Sequence, residues 1–384
     1  MVRMIKSGTL DFFGCARPSI ADPFLPLKVD QGRIVDFRVC IGCNICISGD
    51  MTQGLSRCTQ NPSFMEEWRK GWHPETMNIK GSGQSVLVVG AGPAGLEAAL
   101  SLARRGYEVA LAEAGMAPGG RVARECKLPG LAEWGRVRDY RVGQLAKLSN
   151  VMTYCDSRLD AAQILEFGFE HVCIATGSIW RRDGVARQHV VAMEISGLPV
   201  FTPDDLMAGR LPSGRVVLFD DDHYYMGGVL AEMLVKAGCS VVLVTPAAFV
   251  SDWTQNTLEQ RFIHRRLLEL GVEIRLNRGV VRVETGRVVS DCVYTGICED
   301  IAADAVVMVT SRVGDDGIFQ ALKARENEWK LAGISSVSLI GDAAAPGPIA
   351  WATYAGHRYA RELDAPDLGD ALSFRREVTG LAEA

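Results

Sequence analysis

The sequence predicts an α/β protein built from two Rossmann-like nucleotide-binding units, one inserted in the other, behind an N-terminal cysteine-rich segment. Three observations carry this. A strand, a glycine turn, a helix, a second strand and an acid follow one another from Ser85 to Glu113. A second strand–helix–strand pattern spans Arg215 to Val244. Four cysteines, Cys40, Cys43, Cys46 and Cys58, precede both. The chain of 384 residues is 48% apolar and 23% charged, the composition of a globular protein of two or three domains. A net charge of −5 without a basic run excludes a nucleic-acid footprint. The longest apolar stretch, residues 85–103, is interrupted by Gly90, Gly92, Gly95 and Glu97, so it reads as strand, turn and helix and not as a membrane span.

Taken in order, Leu10 to Phe13 reads as a strand and Gly14 to Pro18 as a turn, and about thirty residues here are too few to bury a core of their own. Three thiols at successive x2 spacings, then Cys58 after eleven intervening residues, make the ligand set of an iron–sulfur cluster: one tight loop wraps three corners and the distant cysteine closes the fourth. Zinc is the first alternative, although its sites usually present two separated C-x2-C knuckles. Disulfides are the second. The other seven cysteines (Cys15, Cys126, Cys155, Cys173, Cys239, Cys292, Cys298) are scattered, the total is odd, and no secretory segment precedes them. The expected compartment is the reducing cytoplasm.

In the first nucleotide unit, residues 85–89 suit a buried parallel strand. Gly90-Ala91-Gly92-Pro93-Ala94-Gly95 then leads into a helix from Leu96 to Arg105, ended by Gly106, and Val109 to Ala112 forms the next strand. Gly90 permits the tight turn, Gly92 the approach of backbone to a pyrophosphate, and Gly95 close helix–strand packing; the helix N-terminus offers amides to phosphate. Glu113 stands where a carboxylate accepts from the adenosine ribose. Gly119-Gly120-Arg121, Ile174-Ala175-Thr176-Gly177 and Leu339-Ile340-Gly341-Asp342 follow, the last two at strand ends. In this order they resemble the two-domain flavoproteins of the glutathione-reductase type. The resemblance implies a site on Gly120, Arg121, Thr176, Gly177, Gly341 and Asp342, with Asp342 near a flavin ribityl chain and His357 and Arg358 on the helix that follows.

In the second unit the strand 215–219, the helix Gly227 to Ala237 and the strand 240–244 are joined by Asp220-Asp221-Asp222-His223-Tyr224-Tyr225-Met226, not by glycines. Three carboxylates oppose a pyrophosphate, and bulky side chains block its approach. This unit is expected to keep the fold without binding NAD(P)H; the alternative is that Gly227 and Gly228 shift the phosphate site along the chain. Tyr224 and Tyr225 are expected to pack against a neighbouring domain rather than a ligand. Cys173 is expected in the core, and Cys239, Cys292 and Cys298 are taken as structural.

The segments "GCARPSIADPFLP", "RVCIGCNICIS", "CTQNP", "GWHPE", "VLVVGAGPAGLEAA", "LPGLAEWGRVRDYR", "IATG" and "LIGDAAAP" span nearly the whole chain. With them it resembles the C-terminal half of the trimethylamine and dimethylamine dehydrogenases, relatives of old yellow enzyme and of 2,4-dienoyl-CoA reductase. The resemblance implies residues 1–35 as the last βα unit of a (β/α)8 barrel, with Arg17 approaching an FMN phosphate. It further implies 36–80 as a 4Fe-4S segment, 81–200 plus 328–384 as an FAD- or ADP-binding domain, and 201–327 as a degenerate NAD(P)-like domain. Ile41, Ile45 and Ile47 are expected to shield the cluster. FMN is expected only with the rest of the barrel, which is expected as a separate subunit, a truncated part, or a piece lost to a start at Met1 or Met4.

The implied activity is amine oxidation or N-demethylation on the barrel. Electrons would pass through the cluster to an acceptor such as electron-transfer flavoprotein, in a homodimer of complete subunits. Where the trimethylamine enzyme has an aromatic in its exit path this chain has Arg136, flanked by Trp134 and Tyr140. The altered second site favours this branch over an NAD(P)H-dependent FAD/4Fe-4S reductase. A non-catalytic nucleotide-binding scaffold subunit is the reading from a different class.

Overall fold

Residues 2–69, 72–79 and 84–365 are described in this computed structural model. Met1, Gly71 of the "GWHPE" segment, and the parts of the expected domain ranges at 80–83 and 366–384 lie outside them. Among the described residues no helix is long and apolar enough to cross a membrane.

The N-terminal segment consists of short helices, among them Val2–Lys6, Arg17–Ala21 and Leu25–Asp30, followed by Ile45–Met51 (α1). The strand expected at Leu10 to Phe13 does not form. Among the described residues no other strand lies beside it to complete its ladder, and Phe12 is exposed. The turn expected up to Pro18 gives way at Arg17 to helix, where a proline in the first turn removes only an amide that has no intrahelical partner. In place of an apolar core, buried charges hold this segment. The Lys28 ammonium lies 2.8 Å from Asp22, Arg38 donates its backbone N–H to the same carboxylate and pairs with Glu75, and Arg57 pairs with Glu66 at 2.7 Å.

The first parallel sheet grows from Ser85–Val89 (β1), Glu108–Ala112 (β2), Val151–Tyr154 (β3) and His171–Ile174 (β4). The helix Pro93–Arg104 (α2) connects β1 to β2, and Arg136–Leu145 (α3) packs on α2. The second sheet is formed by Val200–Phe201 (β5), Arg215–Asp220 (β6), Ser240–Val244 (β7), Glu273–Arg275 (β8) and Ala305–Val309 (β9), with Tyr225–Lys236 (α4) between β6 and β7. The chain then returns to the first sheet with Ser336–Leu339 (β10), and Ile349–Glu362 (α5) lies along α2. The strand orders are β10-β4-β1-β2-β3 and β8-β7-β6-β9-β5, all parallel. Both sheets are covered on both faces, which is why their strands are nearly continuous runs of buried Val, Leu and Ile.

Two features go beyond the expected elements. A four-stranded, mainly antiparallel sheet, Glu194–Ile195, Arg278–Glu284, Arg287–Cys292 and Cys298–Ala302, packs Val280, Val283, Val288 and Ile301 against the second parallel sheet. An antiparallel pair, Ser178–Trp180 with Arg312–Gly314, links the two crossings between the sheets. Cys173 and Cys239 are buried, whereas Cys298 is exposed at its hairpin.

Candidate functional site

A cleft of about 930 Å³ opens at the C-terminal ends of β1 and β2 and runs toward the second unit. Its floor is the turn into α2. Gly90 has φ +105°, and a Cβ there would meet the Ala175 carbonyl at 2.4 Å. Gly95 permits contact of another kind: a Cβ on it would lie 1.8 Å from the Gly90 carbonyl oxygen. Beside Gly92, which caps α2, the same construction meets no protein atom within 4 Å, so the space in front of the first helical amides is open. That is the geometry a pyrophosphate needs.

Ten of the nucleotide-site residues expected from the sequence, Gly90, Gly92, Pro93, Ala94, Glu113, Gly120, Arg121, Thr176, Gly177 and Asp342, line this one cleft. Gly95 and Gly341 lie outside its lining. Gly341 packs against Ala94, whose Cβ would be 2.6 Å from a Cβ at 341. Arg17 is elsewhere, against the cysteine loop. The Glu113 carboxylate accepts from the amides of Ala91 (2.8 Å) and Gly115 (2.7 Å), which fixes it at the end of β2.

Farther along, the cleft contains a residue that sequence reasoning missed. Arg312 forms an ion pair with Asp342, donates to the Gly347 carbonyl at 2.9 Å, and lies over Trp180. Asp342 also accepts from Ser178 Oγ (3.0 Å) and from the Gly347 amide (3.1 Å). Three of the roughly four lone-pair positions of this carboxylate are therefore taken by protein. The sequence signal for Arg312 is weak, since it stands alone after an apolar strand with no motif around it.

The acidic loop after β6 turns inward. Asp220 and Asp221 are fully buried. Asp220 Oδ1 accepts from the His223 amide at 3.0 Å, and its Oδ2 lies so close to Gly227 that a Cβ there would be 2.4 Å away. Asp221 accepts from the Gln188 amide at 3.0 Å and lies 3.2 Å from His223 Nε2. Both carboxylates are thus engaged by backbone amides of the protein itself. Burial, reinforced by Asp222 and Asp221 and opposed by His223, pushes the Asp220 carboxyl up to about 7. A folded-state pKa above the ordinary 3.8 contributes stability that is complete below that value and is lost as pH rises through about 7. Asp220→Asn keeps the acceptor for His223. It is expected to match the native chain in thermal melts below pH 3.8 and to exceed it increasingly as the pH rises to about 7, by on the order of a few kcal/mol. Equal midpoints at the upper end of that range would contradict this.

The four cysteines line one small cavity with Arg17, Ile20, Ile41, Ile45, Thr59 and Gln60. Left-handed Gly42 and Asn44 bend the loop so that α1 begins directly after Asn44. Arg17 hydrogen-bonds the Asn44 side-chain oxygen, and Asn44 Nδ2 donates to the Thr257 carbonyl at 2.9 Å. Cys58 Sγ accepts from the Asn61 amide at 3.4 Å, and Cys43 Sγ lies 3.2 Å from Thr59 Oγ1. Ile41 and Ile45 shield the thiols as expected; Ile47 is outside the lining, and Ile20 takes its place. Burial pushes the Cys43 thiol up to about 12, with Cys58 and Cys46 adding repulsion, and raises Cys46 and Cys58 as well. Four thiolates this close need a cationic core among them. Among the described residues no three His, Cys, Asp or Glu side chains converge on a single ion position. Three thiols of one tight loop and Cys58 from a distant segment line this one cavity, a donor set of the kind that holds an iron–sulfur cluster. All eleven thiols are free of disulfides.

Between this cavity and the cleft lies an aromatic stack. Trp134 meets Tyr225 at 4.5 Å, Tyr225 meets Tyr224 at 4.6 Å, and Tyr224 meets Trp253 at 4.8 Å. Tyr224 and Tyr225 face both the Cys43 loop and the cleft, so they pack between units and also border the ligand space.

The family described as pyridine nucleotide-disulphide oxidoreductase matches residues 84–195, and that described as OYE-like second alpha/beta domain matches 201–299. Dimethylamine dehydrogenase of Hyphomicrobium sp. (strain x) is 40% identical over 405 aligned residues, covering 98% of this chain and 55% of that protein. The structure of histamine dehydrogenase from Rhizobium sp. 4-9 superposes with a TM-score of 0.95 at 65% identity, over 100% of this chain and 60% of that one. That of 6-hydroxypseudooxynicotine amine oxidase from Pseudomonas geniculata N1 gives 0.90 at 45% identity, over 95% and 55%. The chain spans little more than half the length of these relatives.

Proposed function

The chain belongs to the trimethylamine and dimethylamine dehydrogenase-like iron–sulfur flavoproteins and is an oxidoreductase of that family, and from this premise we propose that it is the electron-transfer and nucleotide-binding part of an amine dehydrogenase. Substrate oxidation, of a methylated or primary amine, belongs to a flavin barrel outside the residues present. The observation that carries the proposal is the enclosure of Cys40, Cys43, Cys46 and Cys58 around one cavity, a few side chains from a Rossmann cleft. The four cysteines hold a 4Fe-4S cluster, which when bound supplies one-electron transfer between the barrel flavin and an acceptor such as electron-transfer flavoprotein.

The protein's own residues divide the remaining work. Ile20, Ile41 and Ile45 keep water from the thiols, and the amide of Asn61 directs a hydrogen bond at Cys58 Sγ; both influence the potential of a cluster. The turn Gly90–Gly95 and Glu113 hold a nucleoside diphosphate. The engagement of Asp342 by Arg312, Ser178 and Gly347 supports ADP over FAD, because the carboxylate that would meet a ribityl chain is already committed and a guanidinium lies beside it. The inward-turned Asp220–Asp221 loop supports the absence of a pyridine-nucleotide site.

The test is an anaerobic absorption spectrum before and after dithionite, with analysis of the nucleotide released on denaturation and an NADH titration by calorimetry. A broad band that bleaches, released ADP and no NADH binding at millimolar concentration are expected. Released FAD with saturable NADH binding would replace this proposal with a reductase, and zinc in place of iron would end it.

A further inference from the structure

The "LPGLAEWGRVRDYR" segment ends at Arg141, a residue with no role in either site, yet it is among the largest side chains buried without any exposure. Four of the five N–H donors of its guanidinium are engaged. Nε donates to Glu97 Oε2 at 2.8 Å; Nη1 donates to the Gln60 side-chain oxygen at 3.2 Å and to the Val137 carbonyl at 2.9 Å; Nη2 donates to the Gln60 carbonyl at 3.3 Å. Glu97 lies in α2, one turn beyond the glycines that face the nucleotide, and its other oxygen accepts from Ser101 Oγ at 3.0 Å and lies 2.9 Å from His357 Nδ1. Gln60 stands two residues after Cys58 and lines the thiol cavity. Its Nε2 donates to the carbonyl of Val39, directly before Cys40, at 3.0 Å. Gln60 thus joins the first and last cysteine arms, and Arg141 ties that junction to the nucleotide helix.

We propose that Arg141 is a positioning residue that couples occupancy of the nucleotide cleft to the hold of Cys58 and Cys40 on the cluster, through Glu97 on one side and Gln60 on the other. The inference rests on the proposed cluster and ADP sites. A nucleotide at the start of α2 fixes the turn that carries Glu97; Glu97 fixes the guanidinium, and the guanidinium fixes the backbone and side chain of Gln60. The rigid planar fork is what allows one side chain to hold the carboxylate, a carbonyl and an amide oxygen together. A lysine keeps a charge for Glu97, so the buried carboxylate is not left unpaired, but its point charge cannot span both partners.

The experiment is iron release from the full cluster-bearing chain to a colorimetric chelator, without and with saturating ADP, in the native chain and in Arg141→Lys. ADP is expected to slow release by about five-fold or more in the native chain, the lower end of ordinary coupling between sites. In Arg141→Lys the two rates should converge while ADP still binds by calorimetry. A native rate indifferent to ADP, or an ADP effect preserved in the variant, would overturn the coupling. Gln60→Leu provides a second arm, since it removes the Gln60 side-chain links to Arg141, Val39 and Arg136 without touching the Arg141–Glu97 pair, and it should also lose the ADP effect. A chain that holds no iron or binds no ADP would instead fail the proposed function on which this rests.

Discussion

Cys43→Ala is expected to remove essentially all cluster iron and the broad visible band, and in an enzyme completed with its barrel to abolish transfer of electrons beyond the flavin. The reason is geometric and electrostatic together. Cys43 is the middle ligand of the tight run, faces Thr59, and borders both the thiol cavity and the gap toward Trp134 and Tyr225. Alanine leaves one corner of the cluster without a thiolate, and Thr59, the nearest alternative donor, is an alcohol that does not ionise at neutral pH. The effect should be confined to the cluster. Nucleotide content should remain, because none of the residues lining the cleft changes. Iron analysis, the visible spectrum and reduction by substrate in the completed enzyme would check this, and normal cluster reduction in the variant would refute the ligand assignment.

The second large effect is expected from Gly95→Ala. The added methyl would fall 1.8 Å from the Gly90 carbonyl oxygen, backbone that the Ala175 carbonyl confines from the other side. Neither neighbour is a flexible side-chain end, so α2 must lift away from β1. The expected cost is about 3 kcal/mol or more, read as a lower thermal midpoint, with loss of bound nucleotide because the amides at the helix start no longer face the pyrophosphate. Gly92→Ala is the internal comparison. A Cβ there meets no protein atom, so its melting should stay near native while nucleotide binding weakens. A native-like melt and native nucleotide content in Gly95→Ala would show that the turn is looser than the structure describes.

Where the chemistry depends on residues close in sequence, it was legible without coordinates. The cysteine loop and the Gly90–Glu113 unit have fixed spacings because one turn or one βαβ unit must present every group, so their roles are visible in order along the chain. The second βαβ pattern was legible for the same reason, as was the misfit of three aspartates at its turn. What the sequence concealed depends on long-range approach. Arg312 reaches Asp342 only because the strand pair Ser178–Trp180 and Arg312–Gly314 brings the two crossings together. Arg141, Glu97 and Gln60 lie on three separate segments with no periodic relation between them. The antiparallel sheet was missed because its strands interleave charged and apolar residues over short spans, which reads equally as loop. The strand expected at Leu10 to Phe13 failed for the opposite reason: a local β propensity without a partner strand decides nothing.

The loop after β6 is fastened into the wall that encloses it. Asp221 holds the Gln188 amide of the segment crossing from the first unit, the Val185 carbonyl of that segment accepts from Ser311 Oγ, and Asp220 is seated on the first turn of α4. For a protein engineer wishing to install hydride delivery from a pyridine nucleotide, glycines at 220–222 would therefore not be enough. They would cut the tether of the 185–188 strap and leave a gap under α4 before any cofactor arrived to fill it. A working redesign has to rebuild strap, loop and helix start as a single unit, because in this chain the former entrance has become part of the masonry.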